Sequence, residues 1–129
     1  MQLRAGLFKS VYGVSLLAGL CLPAQAANYC DNAYYQNDLN ECTATHLSVE
    51  DRQLNKSYGN LQALLDSNEK NQLKLAQRAW IDFRDKSCKF SARQLKGGSA
   101  YIMEHNSCLI NYTRQRRIEL DKEISNTQR

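Results

Sequence analysis

The chain has 129 residues, with 17 Lys or Arg against 13 Asp or Glu and a formal charge of +4. This length suits a single domain. The modest charge, with no basic stripe interleaved with aromatics, argues against nucleic acid as a partner.

The first segment carries an address. Arg4 and Lys9 form a positive start, 11–22 is an apolar run, and Ala24-Gln25-Ala26 places small residues where a signal peptidase reads them. We expect a signal peptide over 1–26 and a mature domain over 27–129, exported to the periplasm or secreted. The apolar run is too short to favour a membrane span, and no second one follows. Leu20 before Cys21 breaks the small-residue rule for a lipidated Cys, so no membrane anchor is expected to remain after cleavage. Without Arg4 and Lys9, 15 basic residues face 13 acids, and the mature charge is about +2. Local basicity is confined to Arg114, Arg116 and Arg117, which suit the C-terminal half of a helix.

Residues 28–35 read as a polar and aromatic lead-in. From 36 to about 65, Leu39, Cys42, His46, Leu47, Leu54, Tyr58, Leu61 and Leu65 recur at helical steps. Gly59 weakens that helix by about 1 kcal/mol relative to Ala. Ser48 could cap a second segment if the helix kinks at 48–51. Asp66-Ser67-Asn68 is a turn and N-cap cluster.

A second helix is predicted from about 69 to 95. Leu73, Ala76, Trp80, Phe83, Ser87 and Phe90 follow one another at steps of 3, 4, 3, 4 and 3. That spacing forms one face of a helix, in the rhythm of helix-on-helix packing. Leu73, Trp80, Phe83 and Phe90 are therefore the predicted core. Arg78, Asp82, Arg84, Asp85 and Lys89 make a charged opposite face. Gly97-Gly98-Ser99 breaks the helix, with glycine for left-handed geometry and Ser99 as the next cap. A third helix is predicted from about 100 to 124, with Ile102, His105, Leu109, Tyr112, Thr113, Arg116 and Leu120 facing inward. The expected fold is all-α: three helices in an antiparallel up-down-up arrangement, stapled by two disulfides.

Four Cys remain after cleavage, an even count that reads as two disulfides in an exported domain. Cys88 and Cys108 lie ten residues either side of Gly98, so an antiparallel hairpin sets them side by side. Cys30 is then left for Cys42. The rival, Cys42 with Cys88, is offset by roughly 7.5 Å along the axis. The same mirror relation places Arg116 opposite Trp80, for a cation–π contact, and Arg114 opposite Asp82. His105-x-x-Cys108 has a zinc-ligand spacing, but no Cys-x-x-Cys pair accompanies it. Neither metal nor cofactor is expected.

Several of these residues together carry a resemblance. They are Cys30, Cys42, Leu54-Asn55, Tyr58, the string 76–81 (AQRAWI), Phe83-Arg84-Asp85, Cys88, Gly98-Ser99, Cys108, Thr113, Arg116 and Leu120. The chain resembles the LprI-like lysozyme-inhibitor family across nearly all of the mature domain. The resemblance implies an exported, disulfide-containing helical envelope protein and, for the founding type, inhibition of lysozyme. That founding type is a lipoprotein, a point on which Leu20-Cys21 departs from it.

Three classes of function are open to such a sequence. A protein partner, lysozyme in particular, could be blocked by a projecting turn that enters its saccharide cleft beside the catalytic carboxylates. Lys96-Gly97-Gly98-Ser99 is the candidate contact, with Arg78, Asp82 and Arg84 on the charged face as a second surface. A mature charge of about +2 provides no steering toward a cationic lysozyme. An accessory envelope protein that binds without inhibiting is the alternative. An enzyme is disfavoured: His105 and Cys108 could pair only if Cys108 were a free thiol, and Asp82 and Asp85 lie among the basic residues Arg78, Arg84 and Lys89 rather than as an isolated acid pair. No nucleophile or phosphate-loop motif occurs, and the oligomeric state is not legible.

Overall fold

The computed structural model describes residues 30–129. The expected signal peptide and Cys21 lie outside those residues. Three helices account for most of the described chain: α1 (Gln36–Gln62), α2 (Ser67–Ser91) and α3 (Tyr101–Thr127). A 3-10 turn, Ala92–Leu95, follows α2 directly. There is no strand among the described residues.

Local chemistry sets the boundaries. Asp66 caps α2: its Oδ1 accepts from the Glu69 backbone N–H at 2.8 Å, and the Glu69 Oε2 accepts from the Asp66 N–H at 2.9 Å. This reciprocal capping box starts α2 two residues earlier than periodicity alone suggests. Gly97 takes φ +85°, the left-handed conformation that lets the chain reverse after the 3-10 turn. Two expectations fail here. Ser99 does not cap α3, whose N-cap is Ala100 with no side-chain bond. α1 does not break at 48–51: the Ser48 hydroxyl accepts from Arg52 one turn on, at 2.9 Å, and the helix continues.

Cross-links between helices give their directions. From α1 to α3, Asn40 meets Met103, Thr43 meets Asn106, Glu50 meets Arg114 and Ser57 meets Asp121, at sequence separations of 63, 63, 64 and 64. A constant separation over 17 residues of helix means that α1 and α3 run parallel in fixed register. From α2 to α3, Gln77 meets Arg116, Phe83 meets Tyr112 and Cys88 meets Cys108, so one number rises as the other falls and the pair is antiparallel. These pairings are compatible with an up-down-up order. The principal interface is α1 on α3, with α2 resting more lightly on α3.

The apolar core is Leu54, Leu61 and Leu120, with Tyr58, Leu65, Leu73, Trp80 and Ile124 packed against it. It occupies the end of the molecule where α1 closes and α2 begins. The α1 seam alternates apolar and polar positions at steps of 3 and 4: Thr43, Glu50 and Ser57 are buried, as are Leu54 and Leu61. At the other end, Cys88, Ala92, Leu109 and Ile110 are buried around the second disulfide.

Two disulfides staple the helices. Cys30–Cys42 ties the lead-in to α1 with Cα atoms 5.9 Å apart, and Cys88–Cys108 ties α2 to α3 at 5.5 Å.

The predicted core face of α2 needs correction. Phe83 is 57% exposed and Phe90 66% exposed, whereas Leu73 and Trp80 are half-buried. The residues α2 buries are Gln77 and Cys88, with Arg84 14% exposed beside them. The buried face is therefore turned about one residue, roughly 100°, from the hydrophobic stripe. Cys88 must face α3 to meet Cys108, and Gln77 and Arg84 lie on that same side and reach α3 by hydrogen bonds. A light interface of covalent and polar contacts thus outweighs the apolar periodicity.

Candidate functional site

The turn at Lys96–Ser99 projects from the end of the molecule where α1 begins, and all four residues are exposed. Its backbone is nevertheless well held. The Gly98 N–H donates to the Leu95 carbonyl at 2.9 Å, the Tyr101 N–H to the Gly98 carbonyl at 3.3 Å, and Asn40 Nδ2 to the Ser99 carbonyl at 3.0 Å. A short turn fixed at both feet loses little freedom on binding.

Arg78 and Arg84 lie elsewhere, on an open groove of about 390 Å³ between α1 and α2. Asp51, Leu54, Asn55 and Tyr58 form its α1 wall. Lys74, Gln77, Arg78, Trp80, Ile81 and Arg84 form its α2 wall. Roughly 20 Å of helix, taken at 1.5 Å per residue, separates Arg78 from the end of α2 near the turn. The two predicted contact surfaces are thus distinct. Asp82 belongs to neither: it is exposed and paired to Lys86 Nζ at 2.8 Å.

Arg84 is a structural junction. It sits 5.0 Å from the centroid of the Trp80 ring. Its Nη1 donates to the buried Thr113 Oγ1 of α3 at 3.1 Å and lies 3.4 Å from Asp51 Oδ1 of α1, while Nε donates to Asp85 at 2.9 Å. One guanidinium thereby links all three helices. The cation over Trp80 is therefore Arg84, one turn along the same helix, and not the predicted Arg116. Arg116 Nε instead donates to Gln77 Oε1 at 3.0 Å, and its Nη1 to Glu119 at 3.0 Å. Arg114 faces α1 rather than Asp82, with its Nε donating to Glu50 Oε1 at 3.0 Å and its Nη2 3.0 Å from His46 Nε2.

A smaller cleft of about 160 Å³ lies between α2 and α3, lined by Trp80, Phe83, Tyr112, Gln115, Arg116 and Glu119. Phe83 meets Tyr112 edge to face at 5.8 Å. Trp80 lines both depressions and forms the wall between them.

Sequence reasoning missed Glu50, Gln77, Asn55 and Tyr58 as site or interface groups. Counting polar residues along with apolar ones at steps of 7 would have exposed Thr43, Glu50 and Ser57 as a seam. Leu54, Asn55, Tyr58, Gln77, Arg78, Trp80 and Ile81 all belong to the strings that carried the family resemblance, and the fold gathers them on one groove.

His105 and Cys108 do not form a thiol–imidazole pair. Cys108 is in a disulfide, and His105 stacks on Tyr101 with centroids 5.5 Å apart. Among the described residues, no group of three or more His, Cys, Asp or Glu side chains is placed to hold a metal, and no helix is long and apolar enough to cross a membrane.

The fold and these surfaces define a small disulfide-stapled helical protein that presents grooves and a projecting turn. The chain belongs to the family described as lysozyme inhibitor LprI, whose model matches residues 28–120. It is similar to the uncharacterized protein R02472 of Rhizobium meliloti (strain 1021), with 34% identity over 123 residues, covering 83% of this chain and 88% of that one. It is also similar to the uncharacterized protein YecT of Escherichia coli (strain K12), with 36% identity over 63 residues, covering 40% of this chain and 39% of that one. No solved structure gives a significant match. Two disulfides and membership of a lysozyme-inhibitor family point to an exported protein.

Proposed function

We propose that the chain is exported by a signal peptide over 1–26 and that its mature domain, 27–129, binds and inhibits a lysozyme-type muramidase. Inhibition is by occupation of the enzyme, with no chemistry of the inhibitor's own. The observation that carries this reading is the family match across residues 28–120. The turn at Lys96–Ser99 is the proposed contact: it is exposed, carries a cation suited to a cleft holding two carboxylates, and is held at both feet. Broad helix flanks do not fit a saccharide groove. Lys96→Glu should raise the inhibition constant while leaving the melting temperature nearly unchanged, because an exposed turn charge contributes little to folding. Inhibition unaltered by that change would move the contact to the face carrying Arg78 and Arg84.

A second reading has its own support. Phe83 and Phe90 are large, exposed and on one side of α2, as on a surface that packs against another protein. On this reading the chain is an accessory envelope protein that binds a partner without inhibiting it. Capture of a partner from an envelope extract that is lost with Phe83→Ser and Phe90→Ser, alongside unimpeded muramidase turnover, would favour it.

A further inference from the structure

The groove between α1 and α2 is separate from the proposed inhibitory turn, and its donors are arranged for a particular chemistry. Gln77 is the central group. It is 9% exposed, and its Oε1 accepts from Arg116 Nε at 3.0 Å. An arginine Nε–H can only donate, so the carbonyl end of the amide must face Arg116 and the orientation of the amide is fixed. Gln77 lines the groove, and its Nε2 makes no hydrogen bond among the described residues. It is not sealed from solvent: the described side-chain atoms that are both sealed and unpartnered are Glu50 Oε2 and Arg117 Nε. An amide oriented by Arg116 at its carbonyl end and open to solvent at its donor end can offer those donors to a ligand.

Two cations flank it. Lys74 and Arg78 are four residues apart, on one face of α2 beside Gln77, and both line the groove. Neither is held by an ion pair or side-chain hydrogen bond among the described residues, in contrast to Arg84, which is committed to Asp51, Asp85 and Thr113. Asp51 is the groove's one carboxylate, and it lies against Arg84. Leu54, Tyr58, Trp80 and Ile81 supply apolar surface. The volume of about 390 Å³ is that of a small-molecule site.

We propose that this groove binds the carboxylate end of a short N-acylated peptide. The carboxylate lies between Lys74 and Arg78, the neighbouring amide carbonyl accepts from Gln77 Nε2, and the terminal side chain packs on Trp80. The site reads a carboxylate and one carbonyl, a chemistry shared by a free peptide end and by the peptide stem of a cell-wall fragment. The site does not depend on inhibition through the turn at Lys96–Ser99 and is tested separately from it.

The test is titration of the isotopically labelled mature chain, followed by nuclear magnetic resonance. The probes are N-acetyl-Ala-Ala, its C-terminal amide, and N-acetylmuramyl-Ala-Ala. The expected result is saturable shifts at the Gln77 side-chain amide, the Arg78 Nε–H and the Trp80 indole N–H with both acids, and at least tenfold weaker binding of the amide. Tighter binding of the muramyl compound would assign the ligand to the cell wall, and equal binding to peptide ends in general. Gln77→Glu keeps the acceptor for Arg116 but removes the N–H donors, so it should fold normally and lose at least tenfold in affinity; Arg78→Glu, at an exposed position, should do the same. Three outcomes would overturn the proposal: no saturable shift at these groups, equal binding of acid and amide, or unchanged affinity in folded Gln77→Glu.

Discussion

Glu50 of α1 and Arg114 of α3 meet at 3.0 Å, 64 residues apart in sequence, with Glu50 5% exposed. Arg117 Nε stands 3.7 Å from the second oxygen, and His46 Nε2 3.5 Å from the first. An isolated carboxylate at that depth would be severely destabilising, and it is tolerated because cations from α3 surround it. The pair also fixes the register of the parallel seam. A shift of α1 by one residue along α3 would part Glu50 from Arg114 and Ser57 from Asp121 together.

Glu50→Ala should therefore destabilise the mature domain by about 3 kcal/mol, since removing one partner strands the others. Urea denaturation checks this. A loss below about 1 kcal/mol, the range of an exposed pair, would show that the seam does not depend on this carboxylate.

The rotation of α2 makes a second prediction. Phe83→Ala should cost less than about 1 kcal/mol, because the ring is largely in water and meets Tyr112 only edge to face. Leu120→Ala, 1% exposed at the centre of the core, should cost about 2–5 kcal/mol. Trp80→Ala, half-buried, should fall between them. The reverse order for Phe83 and Leu120 would restore the hydrophobic stripe as the buried face.

How far the sequence foretold this fold can be seen in α2 itself. Its start was legible to within two residues because Asp66-Ser67-Asn68 is a local turn and N-cap cluster, and the break after it because Gly97 meets a local requirement for positive φ, although the last turn, Ala92–Leu95, is 3-10. The partner of Cys88 was legible because equal distance from a turn is simple geometry. The buried face was not, because Trp80, Phe83 and Phe90 share a stripe and hydrophobic counting takes a stripe to be core. What decides the rotation is the disulfide together with Gln77 and Arg84, and polar groups are invisible to such counting. The α1–α3 seam was hidden for the same reason: Thr43, Glu50 and Ser57 hold core positions without being apolar. Of the candidate site, Arg78 and Arg84 were named but not the groove that gathers them, since Asn55 and Tyr58 lie on another helix.

Gly59 lies inside α1, and a Cβ built there meets nothing within 4 Å. Its cost is conformational freedom in the unfolded chain, with no packing role to offset it. Gly59→Ala should raise stability by about 0.5–1 kcal/mol, readable as a higher melting temperature. A decrease would mean that the C-terminal turn of α1 needs the flexibility.

The two disulfides should differ in consequence. Cys88–Cys108 spans 20 residues of sequence, and the bond's removal should cost about 3 kcal/mol on chain-entropy grounds. Cys30–Cys42 spans 12, so the entropic terms are close. Cys88 is fully buried and joins two helices, whereas Cys30–Cys42 anchors only a lead-in. Paired Cys→Ser variants compared by thermal melting should show the larger loss for Cys88 and Cys108.

The proposed function is inhibition of a lysozyme by binding to it. Turnover of a peptidoglycan substrate by several lysozyme classes, at low salt and with excess mature chain, measures this directly. The prediction is that at least one class is slowed in a saturable manner, with unchanged turnover once the chain is removed. Full activity of every class in the presence of folded, disulfide-intact chain would contradict it.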